Sequence, residues 1–131
     1  MYAFVSIGIG AALGAWLRWW FGMTLNHVFP TLPLGTLVAN IVGGFLMGIL
    51  MAITKNHSFI PEAARLAMIT GFLGSLTTFS TFSAETVTLI ANQEYLWTAM
   101  IIAAHLGGSI LATIFGIYPE DARKLGPSGP R

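Results

Sequence analysis

The chain has 131 residues, of which 55% are hydrophobic and only 8% charged, with a formal net charge of +1. Soluble domains carry about 25% charged residues, so composition points to a bilayer as the solvent. The chain has no basic cluster to grip phosphates, which excludes nucleic acid as a partner. It has no cysteine, which excludes disulfides, thiolate metal sites and cysteine nucleophiles.

A helix needs about 20 apolar residues to span the hydrocarbon core. The first such run is Ala3 to Met23. Met1-Tyr2-Ala3-Phe4 has no basic n-region and no cleavage site follows, so the run reads as a retained span. It carries Gly10 and Gly14 as a small contact face, and Arg18 near its end. The polar stretch from Asn26 to Pro33 follows. The second run, Leu34 to Ile53, holds one amide, Asn40, with Gly44 and Gly48 at i+4 and i+8. Lys55-Asn56-His57-Ser58 reads as the next turn.

The third run, Pro61 to Ala91, is longer and far more polar. Pro61-Glu62 suits a helix start, where a missing N–H costs nothing and a carboxylate meets the positive end of the dipole. Between Ser75 and Thr88, eight of fourteen residues are Ser or Thr: Ser75, Thr77, Thr78, Ser80, Thr81, Ser83, Thr86 and Thr88. Hydroxyls compete for backbone partners, and Gly71 and Gly74 precede them. A break near Gly74 to Thr78 is therefore predicted, tolerable at membrane depth only if buried in protein or lining a wet cavity. Carbonyls freed there are suited to a cation. An unbroken polar helix packed by hydroxyls is the alternative. Phe79 and Phe82, at i and i+3, are the only aromatic groups among these hydroxyls. Such a pair is usually packing, but phenyl ring edges are positive and suit an anion without trapping it.

Asn92-Gln93-Glu94 is the last turn, and the fourth run is Leu96 to Tyr118. Here His105, Ser109 and Thr113 stand at i, i+4 and i+8 in one polar row. Ala104, Gly108, Ala112 and Gly116 form a small-residue row beside it. Tyr2, Trp16, Trp19, Trp20, Tyr95, Trp97 and Tyr118 lie near predicted boundaries, where amphipathic rings prefer the headgroups. Residues 1–118 are thus one four-helix membrane domain. Residues 119–131 are a polar tail, whose last stretch, Gly126 to Arg131, reads as expression-derived and is left out of the fold. Lys55 and Arg65 fall on one side and Arg18 toward the other, a bias too weak to fix orientation, so both insertions are expected.

Apart from Glu62 and Arg65 in the opening turn of the third run, three ionisable groups fall inside the spans: Arg18, Glu85 and His105. Charge at mid-bilayer costs several kcal/mol, so each is a functional candidate. Arg18 either snorkels to the headgroups or draws anions to a mouth. Glu85 would repel anions if ionised and bare, so it is expected to be hydrogen-bonded or protonated. His105 is either helix packing or the head of the polar row. Asn40, Ser80, Thr81, Ser83 and the fourth-helix row supply donors for a small anion. A lone monomer would turn some of these groups to lipid, which favours a second copy.

The segments Gly10-Ala11-Ala12-Leu13-Gly14-Ala15-Trp16-Leu17-Arg18, Gly35-Thr36-Leu37-Val38-Ala39-Asn40-Ile41-Val42-Gly43-Gly44 and Gly71-Phe72-Leu73-Gly74-Ser75-Leu76-Thr77-Thr78-Phe79-Ser80-Thr81-Phe82-Ser83 together resemble the Fluc (CrcB) family of fluoride channels. The last segment is the most specific, and the match runs from Gly8 to about Gly116. The resemblance implies an all-α, antiparallel, dual-topology homodimer with two pores, in the bacterial inner membrane. It implies that Phe79 and Phe82 are the pore phenylalanines and Asn40 the pore asparagine. It implies that His105, Ser109 and Thr113 are the polar track, with His105 where the family often has Tyr. It also implies a structural sodium ion held by the Gly74 and Thr77 carbonyls of each subunit, and a vestibule arginine at Arg18. Passive fluoride export is the expected function. A small multidrug-type proton-coupled exporter is the alternative, although it wants an early buried carboxylate where this chain has Arg18. A scaffold subunit would need no aligned polar track. An enzyme is not expected, because nucleophile elbow, metal-ligand spacing and phosphate loop are all missing.

Overall fold

The computed structural model describes residues 1–56 and 60–125, and every regular element among them is a helix. The elements are α1 (Tyr2–Leu25), α2 (Leu34–Asn56), α3 (Glu62–Leu66), a π-helical stretch (Ala67–Leu73), α4 (Gly74–Leu76), α5 (Phe79–Ala91) and α6 (Tyr95–Leu125). Four segments are long and apolar enough to cross a membrane: Tyr2–Leu25, Leu34–Lys55, Glu62–Ala91 and Tyr95–Tyr118. At 1.5 Å per residue, each exceeds the roughly 30 Å hydrocarbon core.

The boundaries follow local chemistry. Asn26 both ends α1 and starts α2, since its Oδ1 accepts the Gly35 N–H at 2.8 Å. That bond satisfies one of the amides a helix start leaves open. At the other turn, Gln93 sits at φ 61°. There the Glu94 N–H reaches the Leu89 carbonyl and the Gln93 N–H reaches Ile90, both at 2.9 Å. This is a Schellman closure with glutamine in the left-handed position usually held by glycine. Lys55 and Asn56 belong to α2 rather than to a turn, and His57 and Ser58 lie outside the described residues. The fourth helix runs on through Pro119 to Leu125, past the expected end at Tyr118. Residues 126–131 lie outside the described residues.

Helix contacts are made by glycine. A Cβ on Gly10 or Gly14 would collide with the Ala67 or Phe72 carbonyl oxygen, so α1 lies directly on the π-helical stretch. A Cβ on Gly48 would collide with the Thr113 carbonyl, so α2 lies on α6. Close backbone approach of this kind drives association where lipid removes the hydrophobic effect between helices. The interior is small. Ala39, Leu73 and Leu76 form one buried cluster and Phe82, Leu89 and Ile101 another. The outer faces are apolar, with Ile9, Leu13, Trp16 and Trp20 exposed on α1 and Ile110, Ile114 and Phe115 on α6. This surface suits acyl chains and exceeds what water-soluble monomers show.

Candidate functional site

The third membrane segment changes helical geometry twice. It widens to a π-helix over Ala67–Leu73, and between α4 and α5 two residues are extended: Thr77 at φ −81°, ψ 153° and Thr78 at φ −150°, ψ 118°. Wide π turns recur at functional sites. The extended pair has local causes. Both residues are β-branched, which limits their rotamers in a helix. The Thr78 hydroxyl caps α5 by accepting the Thr81 N–H at 3.2 Å. The Asn40 side chain, arriving from α2, replaces a turn of backbone. Its Oδ1 accepts the Thr78 N–H at 2.7 Å and its Nδ2 donates to the Thr78 carbonyl at 3.1 Å.

The Gly74 and Thr77 carbonyls are among those that lose their helical donors as a result. In a continuous helix the Thr78 N–H would reach the Gly74 carbonyl and the Thr81 N–H the Thr77 carbonyl. Here those amides go to Asn40 and to the Thr78 hydroxyl. Gly74 is exposed and Thr77 half-buried.

A cavity of about 390 Å³ opens beside this interruption, between α2, the third segment and α6. Asn40, Gly74, Thr77, Thr78, Phe79 and Phe82 line it, together with His105, Ser109 and Thr113 from α6. Apolar side chains such as Met47, Leu73 and Ile110 complete the wall, giving an apolar cleft with a few convergent polar groups. The two phenylalanines differ sharply. Phe79 is 73% exposed, whereas Phe82 is 6% exposed. Their rings meet edge-on at 5.5 Å and 64°. Phe82 also stacks on the His105 ring, at 4.6 Å and 25°.

His105 is buried, and its Nδ1 lies 3.0 Å from Asn40 Nδ2. Asn40 therefore already uses both amide hydrogens, on Thr78 and on His105. Several hydroxyls are likewise engaged. Thr113 donates to the Gly44 carbonyl at 3.0 Å, with Ser109 O a second acceptor at 2.9 Å, and Ser83 donates back to Phe79 O at 2.9 Å. Thr78 donates to Thr81 Oγ1 at 3.1 Å, which makes Ser80 the donor in the 3.2 Å Ser80–Thr78 contact. The Ser109 hydroxyl has no partner among the described residues, and Thr81 accepts from Thr78 while keeping its own hydrogen. Ser80, Thr81 and Ser83 lie on α5 outside the cavity lining, as do Arg18, half-buried on α1, and Glu85.

Glu85 has a specific partner that sequence reasoning did not name. Thr36, 5% exposed in the first turn of α2, donates to Glu85 Oε1 at 2.5 Å, while Oε2 is buried without a partner among the described residues. Thr36 carried no signal beyond being one threonine in an apolar run. Thr78 was visible only as part of the hydroxyl-rich stretch.

Membrane-length helices around a cleft with convergent amide, imidazole and hydroxyl groups define a multi-pass integral membrane protein with an intramembrane polar site. The family model described as "CrcB-like protein, Camphor Resistance (CrcB)" matches residues 5–117, and the chain belongs to that family. Curated relatives named "Fluoride-specific ion channel FluC" include one from Nitrosospira multiformis, 64% identical over 117 residues, covering 89% of this chain and 91% of that protein. Another, from Cupriavidus metallidurans, is 51% identical over 119 residues, covering 91% and 94%. A third, from Thiobacillus denitrificans, is 52% identical over 118 residues, covering 90% and 95%.

Proposed function

We propose that this protein is a fluoride-selective ion channel that exports fluoride passively across the bacterial inner membrane. The observation that supports this most strongly is the pairing of family membership, with relatives bearing that channel name, with a cleft that offers an anion donors and ring edges rather than fixed charge. Fluoride is small and strongly hydrated, so a path for it must replace water's hydrogen bonds. Full charges would bind it too tightly for release, whereas partial charges permit exit.

In this reading Phe79 and Phe82 present ring edges to the ion, and Asn40, His105, Ser109 and Thr113 form the polar wall. Ser80, Thr81 and Ser83 on α5 continue the path beyond the cleft. Arg18 raises the local anion concentration at one mouth. Glu85, bonded to Thr36, sits in a vestibule as an uncharged or masked group. The exposure of Phe79 and the open side of the cleft support a second, antiparallel copy that completes two pores about a twofold axis in the membrane plane.

The interruption at Thr77–Thr78 is read as a break in the third span that serves this dimer. The Gly74 and Thr77 carbonyls lack their helical donors, and hard oxygen ligands of that kind fit sodium. Such an ion would supply a fixed positive charge joining the two subunits, without taking part in transport. A proton-coupled multidrug-type exporter draws no support, because the first span offers Arg18 and no carboxylate.

Expression in a bacterium stripped of its own fluoride exporters tests the proposal. Growth should be restored in medium containing fluoride. Membrane-inserted protein that leaves the cells fluoride-sensitive would overturn it.

A further inference from the structure

The Asn40 side chain has one feasible orientation. Its oxygen must face the Thr78 N–H, 2.7 Å away, because a flipped amide would set N–H₂ against N–H. Its nitrogen therefore faces both the Thr78 carbonyl and His105 Nδ1, at 3.1 and 3.0 Å. An amide nitrogen only donates. His105 Nδ1 must then present its lone pair, and the single hydrogen of a neutral imidazole lies on Nε2. Which nitrogen carries the hydrogen thus follows from a backbone contact two helices away.

The other end of the ring is where this matters. His105 is 3% exposed, and Nε2 is buried with no hydrogen-bond partner among the described residues. A buried donor without an acceptor is costly and asks for an explanation. The ring cannot turn freely to relieve it, since Phe82 stacks on its face and Asn40 holds one edge. His105 is part of the cleft wall, and one helical turn further along the same face stands Ser109, whose hydroxyl also lacks a partner among the described residues.

We propose that Asn40 is a positioning residue rather than an anion ligand: clamped on the Thr78 backbone, it holds His105 as the Nε2–H tautomer, so that the imidazole meets the permeating halide as a neutral donor. The opposite tautomer would turn a lone pair toward an ion that can only accept hydrogen bonds. Asn40 thereby couples the interruption of the third segment to the chemistry of α6. This assignment rests on the anion-channel reading for the identity of the acceptor.

Solid-state nitrogen NMR on ¹⁵N-histidine-labelled protein in lipid bilayers tests it, with His27→Gln and His57→Gln leaving His105 as the only histidine. The expected spectrum shows an unprotonated Nδ1 and a protonated Nε2. Sodium fluoride should shift the Nε2 resonance, whereas sodium chloride at equal concentration should not. Asn40→Asp, whose carboxylate accepts and does not donate, should move the hydrogen to Nδ1 and lower fluoride flux. A hydrogen on Nδ1 in the unsubstituted site, or a mixture of tautomers, would overturn the proposal. So would an Nε2–H tautomer that persists in N40D, or an Nε2 resonance blind to fluoride in protein that conducts it. The native-site spectrum decides the tautomer even where N40D does not assemble. Failure of the channel reading looks different: the Nε2–H tautomer would be present in protein that passes no fluoride.

Discussion

Replacing Asn40 with alanine should destabilise the protein by about 2–5 kcal/mol. Three hydrogen bonds disappear together: to the Thr78 N–H at 2.7 Å, to the Thr78 carbonyl at 3.1 Å, and to His105 Nδ1 at 3.0 Å. Interhelical hydrogen bonds in membranes average about 0.6 kcal/mol, which sets a floor near ~2 kcal/mol for three. Burial raises the figure, because Thr78 is 7% exposed and a buried group stripped of its partner costs about 1–3 kcal/mol. The Thr78 N–H has one escape, which is to reach the Gly74 carbonyl and extend α4. That recovers part of the loss and keeps the sum from reaching the full penalty. Unfolding of the detergent-solubilised protein in increasing SDS, followed by tryptophan fluorescence, gives the difference directly. A loss below about 0.5 kcal/mol, less than one such bond, would show that Asn40 does not hold the interruption open.

The two phenylalanines should separate stability from transport. Phe79→Ile, on an exposed ring, should leave assembly intact and cut fluoride flux about two- to thirteenfold, taking ~0.5–1.5 kcal/mol for a lost ring contact. Phe82→Ala, at a buried ring, should instead cost about 3–5 kcal/mol in the same SDS titration. Gly48→Val would drive its side chain into the backbone at Thr113 and Gly116, forcing α2 and α6 apart, and should destabilise by about 1–3 kcal/mol. Gln93→Gly relieves a left-handed residue and should stabilise by about 1 kcal/mol, read as a shifted SDS midpoint without change in flux. A sodium gradient imposed across liposomes should not concentrate fluoride, and accumulation that follows the gradient would point to coupled transport.

The spans were legible because lipid imposes a length and a composition that any sequence must show. Runs beginning at Ala3, Leu34, Pro61 and Leu96 became helices beginning at Tyr2, Leu34, Glu62 and Tyr95. The last span ends at Tyr118 as read, although helical geometry carries on into the polar tail as far as Leu125. The π-helical stretch left no trace in Ala67–Leu73, whose residues suit an α-helix equally well. Its geometry accompanies the close backbone contact with Gly10 and Gly14, a tertiary feature.

The candidate site was half legible. Asn40 drew notice as an amide among apolar residues, but its partner lies 38 positions away, and no local pattern names Thr78. Glu85 was expected to need a partner, and Thr36 supplies it from 49 positions away. Hydroxyl count overstated donor supply. Ser83, Thr86 and Thr88 each bond back to a carbonyl four residues earlier on their own helix, the local option always open to Ser and Thr. What composition cannot show is which hydrogens remain free once the backbone has taken its share. That accounting leaves the hydrogens of His105 Nε2, Ser109 and Thr81 from a longer roll of polar residues, and only the first two belong to the cleft wall.

Fluoride release from liposomes bearing the purified protein, read with a fluoride electrode after the membrane potential is clamped to zero, tests the central claim most directly. Fluoride should run down its own gradient to equilibrium without any added energy source, while trapped chloride stays inside. Equal escape of the two halides, or no fluoride release from correctly inserted protein, would contradict the account.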